Sequence, residues 1–161
     1  MSLEQILDRF ALAVGTHDSA GLAALFTEDG QYDDYFFGCH TGRTEIAAML
    51  DRFHVGGEAF YWQFYDVVHA GQTGYASYVF SYLSREPESQ GKTVVFEGIA
   101  RLRVRDGLIL HYAEAFDRGV AFSQLGYESV RIGKLLGRYA QTFMASDAAR
   151  KHLIQRKEAL G

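Results

Sequence analysis

One stretch, "TVVFEGIARLRVRDGLILHYAEAFD" at residues 93–117, decides the fold of this chain. Two segments rich in β-branched and aromatic residues flank Asp106 and Gly107, a dipeptide favoured in the two-residue turn of a β-hairpin. The pattern predicts strands over 93–105 and 108–117. Strands joined by so short a turn are antiparallel neighbours.

The same pattern extends towards the N-terminus. Segments over 59–69 and 74–84 read as strands, and a glycine-containing turn joins them. A further strand is predicted over 30–36, inside the stretch "GQYDDYFFG". The expected sheet therefore has five strands, of which the last four form an antiparallel meander.

Apolar residues recur at helical spacing before and after this sheet. Helices are predicted over 2–15, 18–26 and 43–54. Helices gathered beside an antiparallel sheet predict an α+β fold, in which a curved sheet leaves a concave pocket against the helices. The expected domain covers residues 1–127. Residues 128–161 form a helical extension that packs on the same domain or on a dimer partner.

Composition excludes several classes of protein. The 161 residues suffice for one domain with a core. The net charge of −4 argues against a protein that binds nucleic acid through its overall electrostatic field. No apolar run approaches the ~20 residues of a membrane span. The N-terminus lacks the basic and apolar regions of a signal peptide, and Cys39 is the only cysteine, so we expect a cytoplasmic protein.

The predicted extension has a charge of its own. Residues 128–161 hold seven Lys or Arg and three acids, and the rest of the chain holds nine basic and seventeen acidic residues. Helices with solvated basic faces, docked on the acidic body of the same or a partner subunit, are the expected arrangement. A nucleic-acid or acidic-partner site is the alternative.

Two stretches resemble the nuclear-transport-factor-2-like superfamily, and within it the SnoaL-like group of polyketide cyclases, ketosteroid isomerases and limonene epoxide hydrolases. They are "FTEDGQYDDYFFGCHTGRTEI" at 26–46 and "LRVRDGLILHYAEAFDRGVAFSQLG" at 102–126. The resemblance implies a cone-shaped, curved antiparallel sheet wrapped around N-terminal helices. It also implies a homodimer through the outer face of the sheet and a pocket at the wide end.

Two adjacent carboxylates, Asp33 and Asp34, interrupt the aromatic first strand, where neighbouring side chains point to opposite faces. Asp34 falls where the resemblance places the general base of ketosteroid isomerases. The oxyanion donors of those enzymes correspond here to Phe10 and Ala100, which cannot donate. The resemblance therefore does not extend to steroid isomerisation.

Epoxide hydrolases of the group offer a second comparison. Their first-strand tyrosine and asparagine correspond to Tyr32 and Asp34, and an acid of their last strand corresponds to Glu114. Their middle-strand arginine and aspartate correspond to Tyr78 and Phe80. Half of that catalytic network is thus missing.

The remaining candidates for catalysis are Asp34 and Glu114, with Tyr32 beside them. Paired carboxylates in an apolar cavity can split their pKa values and serve as base and acid. Alternatively, Asp34 could cap a helix or bind a tyrosine, and Glu114 could pair with an arginine. The resemblance to the SnoaL-like group implies which strand positions face the pocket, and every second residue along each strand shares that face. The substrate-binding side chains expected there are aromatic: Trp62, Phe64, Tyr78, Phe80, Tyr82, Tyr112 and Phe116.

Other chemistry is disfavoured. The six histidines show no spacing typical of metal ligands, and we expect neither a metal nor a cofactor. Trp62 stands near where dehydratase-like relatives place a catalytic histidine, and an indole cannot take a proton. His111 has the opposite parity to Glu114 and is expected to face outward.

Three functions stay open at this point: an isomerase, cyclase, dehydratase or hydrolase acting on an apolar cyclic compound, a non-catalytic binding module, and a scaffold dimer whose cavity is filled. A homodimer is expected in each case, because the outward strand positions hold too many apolar residues to be left in water. The residues expected in that interface are Tyr61, Gln63, Tyr65, Ile99 and Arg101.

Overall fold

The computed structural model describes residues Met1–Gly161, which form two compact units, residues 1–126 and 127–161. The first unit contains α1 (Leu3–Thr16), α2 (Ser19–Ala24), β1 (Phe26–Asp34), β2 (Gly38–Thr41), α3 (Arg43–Gly56), β3 (Gly57–Ala70), β4 (Thr73–Ser84), β5 (Thr93–Arg105), β6 (Leu108–Phe116) and α4 (Arg118–Gln124). The second contains α5 (Ser129–Met144) and α6 (Asp147–Leu160). The packing of the extension stays a prediction.

Local sequence explains where the first helices begin. Ser2 and Gln5 form a capping box: the Ser2 hydroxyl accepts from the Gln5 N–H at 3.3 Å, and the Gln5 side chain accepts from the Ser2 N–H at 2.9 Å. Asp18 caps α2 by accepting from the Gly21 N–H at 2.8 Å. The inner face of α1 is fully apolar and buried: Leu3, Ile6, Leu7, Phe10, Ala13 and Val14.

All six strands form one sheet in the order β2-β1-β6-β5-β4-β3. The α+β class and the meander of β3 to β6 are confirmed. The sheet is mixed, however, because β1 pairs in parallel with β6. The predicted set of five strands also lacked β2, a short strand that folds back on β1. Parallel pairing is possible here because a long connection, containing α3 and four strands, separates β1 from β6.

Turns and bulges give the sheet its shape. Asp106 and Gly107 both have positive φ, 54° and 75°, as the predicted hairpin turn requires. The register of β3 against β4 shifts twice. A residue of positive φ lies at each shift: Ala59 at 52° and Asp66 at 50°. Bulges of this kind bend a strand and increase its twist, so the face towards α1 becomes concave.

The sequence prediction also lacked α4. This helix has seven residues, and Asp117 caps it by accepting from the N–H groups of Gly119 and Val120 at 2.8 and 3.1 Å. About two turns of helix are too short to show a periodic pattern in the sequence. None of the helices is long and apolar enough to cross a membrane.

Candidate functional site

The two adjacent aspartates of β1 lie on opposite faces of the sheet. Asp33 faces outward, half exposed, and its Oδ2 lies 2.7 Å from Nε2 of His111. Asp34 faces the concave side and is only 6% exposed. The outward orientation expected for His111 is therefore what the structure shows, and Asp34 is the buried carboxylate.

Asp34 has a structural role at the end of β1. Its Oδ1 accepts hydrogen bonds from the backbone N–H groups of Phe36 and Phe37, at 2.8 and 2.7 Å. These bonds hold the turn between β1 and β2 and leave Oδ2 for other partners. Asp34 thus stabilises its own turn rather than the N-terminus of α3, where Gly42 stands at the cap.

Glu114 lies on the same face of β6. The parallel register pairs Tyr32 with Tyr112 and Asp33 with Ala113, so Asp34, one residue further, lies beside Glu114 on the neighbouring strand. Glu114 Oε2 accepts from the hydroxyl groups of Tyr78 and Tyr112, each at 3.2 Å. The structure therefore brings the two predicted carboxylates together and adds two tyrosine donors to one of them.

Burial and proximity separate the pKa values of the two carboxylates. Burial, and next the nearby charge of Asp34, raise the pKa of Glu114 to about 8, although bonds from Tyr112 and Tyr78 lower it. Burial also raises the pKa of Asp34 to about 6. The N–H groups of Phe37 and Phe36 and the charge of Arg118 act in the opposite direction and lower this pKa. Because the pKa of Asp34 is the lower of the two, Asp34 is ionised and Glu114 is protonated near neutral pH.

Tyr32, the third predicted catalytic residue, lies behind this pair. Its side chain is fully buried, its ring lies 4.7 Å from that of Tyr112, and its hydroxyl has no hydrogen-bond partner. Burial, and next the charge of Glu114, raise the pKa of Tyr32 far above its usual value, so its hydroxyl stays protonated. Tyr32 can donate a proton in a hydrogen bond, but it cannot act as a base.

The predicted substrate-binding aromatics fall into two groups. Trp62, Phe64, Tyr78 and Tyr112 surround Phe10 of α1 or contact one another, with ring centroids 4.8 to 6.4 Å apart. The ring centroid of Phe80 lies 4.6 Å from that of Trp62, and Phe80 also contacts Tyr82 of the second group. The Trp62 indole nitrogen is buried and has no hydrogen-bond partner.

Tyr82 and Phe116 belong to the second group. Tyr82 lies against Phe60 and Phe80, at 5.3 and 5.7 Å. Phe116 stacks on Phe96 at 4.3 Å, and further rings, those of Tyr35 and Phe36, lie about as close to it. All seven predicted aromatics lie on the concave face or along its rim. That they enclose a ligand stays a prediction.

Sequence reasoning missed several residues of the site. Phe96 shares the parity of Ala100 and could have been found by alternation along β5. Arg118 could not: its guanidinium lies 3.5 Å over the Tyr35 ring and donates to the Tyr35 carbonyl at 2.6 Å, a contact between distant parts of the chain. The donor role of Tyr78 and Tyr112 was missed as well, because alternation predicts a face and not a hydrogen bond.

Comparison with solved structures supports the fold. A protein from Catenulispora acidiphila with a ketosteroid isomerase-like fold, solved in complex with trimethylamine, has a TM-score of 0.71 at 21% identity over 79% of this chain and 96% of its own. An epoxide hydrolase from M. tuberculosis related to limonene epoxide hydrolase has a TM-score of 0.63 at 19% identity, over 75% and 86%. A polyketide cyclase assigned by similarity, from Xanthomonas campestris, has a TM-score of 0.63 at 23% identity, over 76% of this chain and 95% of its own.

These identities establish a common fold and no common reaction. No curated protein sequence matches the chain. The model of the SnoaL-like domain matches residues 7–112, which include most of α1, the whole of β1 to β5 and the first five residues of β6. The chain therefore belongs to the SnoaL-like domain family.

Proposed function

We propose that this protein is an acid–base enzyme that moves a proton at a carbon next to a carbonyl group in a small, apolar, cyclic compound. Asp34 is the base and Glu114 the acid. The observation that carries the proposal is the pairing of two carboxylates on adjacent strands: Asp34 is buried, and Glu114 is partly buried and bonded to the Tyr78 and Tyr112 hydroxyls. The raised pKa of Glu114 agrees with its use as the acid. An isomerase or cyclase uses such a pair directly.

The hydrogen bonds of Glu114 indicate where its proton lies. Both tyrosine hydroxyls donate to Oε2, so the proton of the neutral acid belongs on Oε1. Oε1–H can then donate to a carbonyl oxygen of a ligand. A neutral carboxylic acid held this way supplies the donor that the positions of Phe10 and Ala100 lack.

The proposed step balances within the pair. The carbon–hydrogen bond breaks, its proton passes to Asp34, and its electron pair forms an enolate whose oxygen accepts a hydrogen bond from Glu114 Oε1–H. Return of the proton to another carbon of the ligand completes an isomerisation and regenerates Asp34. The surrounding aromatic rings would exclude water and strengthen both interactions.

Deuterium exchange tests the reaction without the natural substrate. Cyclic ketones such as cyclohexanone and 1-indanone are incubated with the protein in deuterated water, and loss of the proton signals beside the carbonyl is followed by NMR. We expect faster exchange with the wild type than with buffer, and no acceleration with Asp34→Asn. Binding of a ketone without any exchange would overturn the enzymatic function.

A second candidate is a non-catalytic module that binds alkylammonium compounds. One similar structure holds trimethylamine, and an aromatic cluster beside carboxylates is the chemistry that recognises such cations. Three probes of nearly equal shape separate the candidates: acetophenone, α-methylstyrene and 1-phenylethylamine. Preference for the ketone supports the enzyme, and preference for the amine supports the binding module.

We also propose that the protein is a cytoplasmic homodimer that pairs through the outer face of its sheet. Tyr61, Tyr65, Val95 and Ile99 are all exposed on β3 and β5. An apolar strip of this kind on a regular sheet favours burial against a second copy.

A further inference from the structure

We propose that Gly98 is a positioning residue for the candidate site: because it has no side chain, Tyr78 can lie across β5 and reach Glu114. This inference rests on the proposed function for its catalytic meaning. Its structural content, the dependence of one hydrogen bond on one glycine, can be tested without a substrate.

The two hydrogen-bonded residues do not lie on adjacent strands. Tyr78 belongs to β4 and Glu114 to β6, and β5 runs between them. Neighbouring strands lie ~4.8 Å apart, so the tyrosine must span roughly 10 Å across the sheet. It can do this only if its ring lies nearly flat over the middle strand.

Gly98 occupies the position that the ring must cross. It pairs with Tyr78 on one side and with Phe116 on the other, while Ala100 pairs with Glu114. The inner face of β5 otherwise carries larger side chains, Val94, Phe96 and Leu102. The two smallest residues of that face therefore stand where Tyr78 passes over the strand.

A side chain at position 98 would collide with this arrangement. A Cβ built there overlaps the Tyr78 hydroxyl oxygen and lies 2.5 Å from ring carbon Cζ and 2.7 Å from the carbonyl oxygen of Ala115. The atoms it meets first are those that donate to Glu114. Gly98 has no positive φ in this structure, so its role is one of space rather than backbone conformation.

Loss of the bond has a direct effect on Glu114. The Tyr78 hydroxyl stabilises the ionised carboxylate and thus lowers the pKa of Glu114. Gly98→Ala should displace the hydroxyl and raise the pKa of Glu114 by about one pH unit, the difference expected for a bond to a charged rather than a neutral group. Tyr78→Phe should raise it to the same extent.

The experiment measures the pKa of Glu114 from its side-chain carboxyl carbon by NMR, in the full chain without ligand. Gly74→Ala is the matched control, since a Cβ at Gly74 overlaps Leu3 on α1, away from the site. We expect both glycine variants to lose stability and only Gly98→Ala to raise the pKa. An unchanged pKa in a folded Gly98→Ala protein would overturn the proposal.

A rescue variant covers the case in which Gly98→Ala does not fold. In a Tyr78→Leu background the ring is gone, so Gly98→Ala should cost much less stability than in the wild type and should leave the pKa of Glu114 unchanged. If the double variant is as unfolded as the single one, the contact with the Ala115 carbonyl is the limiting one and the proposal fails. Neither result depends on turnover, so failure here and failure of the proposed function are separable.

Discussion

Asp34 Oδ1 accepts a hydrogen bond from the Phe37 N–H at 2.7 Å, so the carboxylate proposed as the base also holds the turn that follows it. One oxygen serves the fold, and the other is left for chemistry. This division lets a substitution at position 34 separate the two roles.

Replacing Asp34 with Asn keeps an oxygen for the Phe36 and Phe37 N–H groups and removes the titrating carboxylate. We expect the variant to fold as the wild type does and to lose turnover by a factor on the order of 10² or more. Asp33→Asn is the matched control, because Asp33 lies next in the chain but on the outer face. Full activity in Asp34→Asn, measured by the ketone exchange assay, would assign the base elsewhere.

Activity should depend on pH in a bell-shaped manner. The active form has Asp34 ionised and Glu114 protonated, so kcat/KM should rise as pH passes about 6 and fall as it passes about 8. Initial rates across pH 4.5 to 9.5, a range of about five pH units chosen to span both shifted values, measure this profile. A plateau that extends unchanged well above pH 8 would contradict the acid role of Glu114.

Stability should decline over the same range. The pKa of Glu114 is higher in the folded protein than its ordinary value of 4.5, so the folded state binds the proton more tightly than the unfolded state does. Its contribution is fully present below about pH 4.5 and is lost as pH rises through about 8. We expect the free energy of unfolding in urea to fall between these limits, by up to a few kcal/mol.

Glu114→Gln provides the comparison for that measurement. The amide does not titrate, and its oxygen can still accept from Tyr78 and Tyr112. The decline in stability with rising pH should therefore be smaller in Glu114→Gln than in the wild type. Equal slopes would show that Glu114 does not hold its proton in the folded state.

The assembly can be tested on the outer face of the sheet. Ile99 is 55% exposed on β5, and a charge there should weaken a dimer that buries it. We expect Ile99→Glu to shift the mass measured by light scattering at micromolar concentration from dimer to monomer. Leu12→Glu, at an apolar residue exposed on α1, should leave the mass unchanged. A monomeric wild type would refute the dimer.

The C-terminal extension gives a last prediction. Residues 1–126 contain every strand and form a compact unit by themselves. We expect a chain ending at Gly126 to retain a cooperative unfolding transition and the far-ultraviolet circular dichroism of the sheet. Loss of folding would show that the extension is part of the core rather than an addition to it.

The sequence by itself determined most elements of this protein, with β2 and α4 as the exceptions. Periodicity predicted α1, α3 and the strands β3 to β6, because each carries a regular apolar face over nine or more residues. Asp106 and Gly107 predicted the last hairpin through their tolerance of positive φ. Alternation predicted that Asp33 and Asp34 would point to opposite faces, and the family resemblance indicated that Asp34 would be the inward one.

Only the tertiary structure decided what these residues do. The parallel pairing of β1 with β6 joins segments about 80 residues apart, as Asp33 and His111 illustrate, and no local pattern encodes it. That pairing sets Asp34 beside Glu114. The bond from Tyr78 to Glu114 depends in turn on the absence of a side chain at Gly98, on a third strand. Local alternation determines which side chains share a face of a strand. The hydrogen bonds and the shifted pKa values of those side chains depend on which strands lie side by side in the folded sheet.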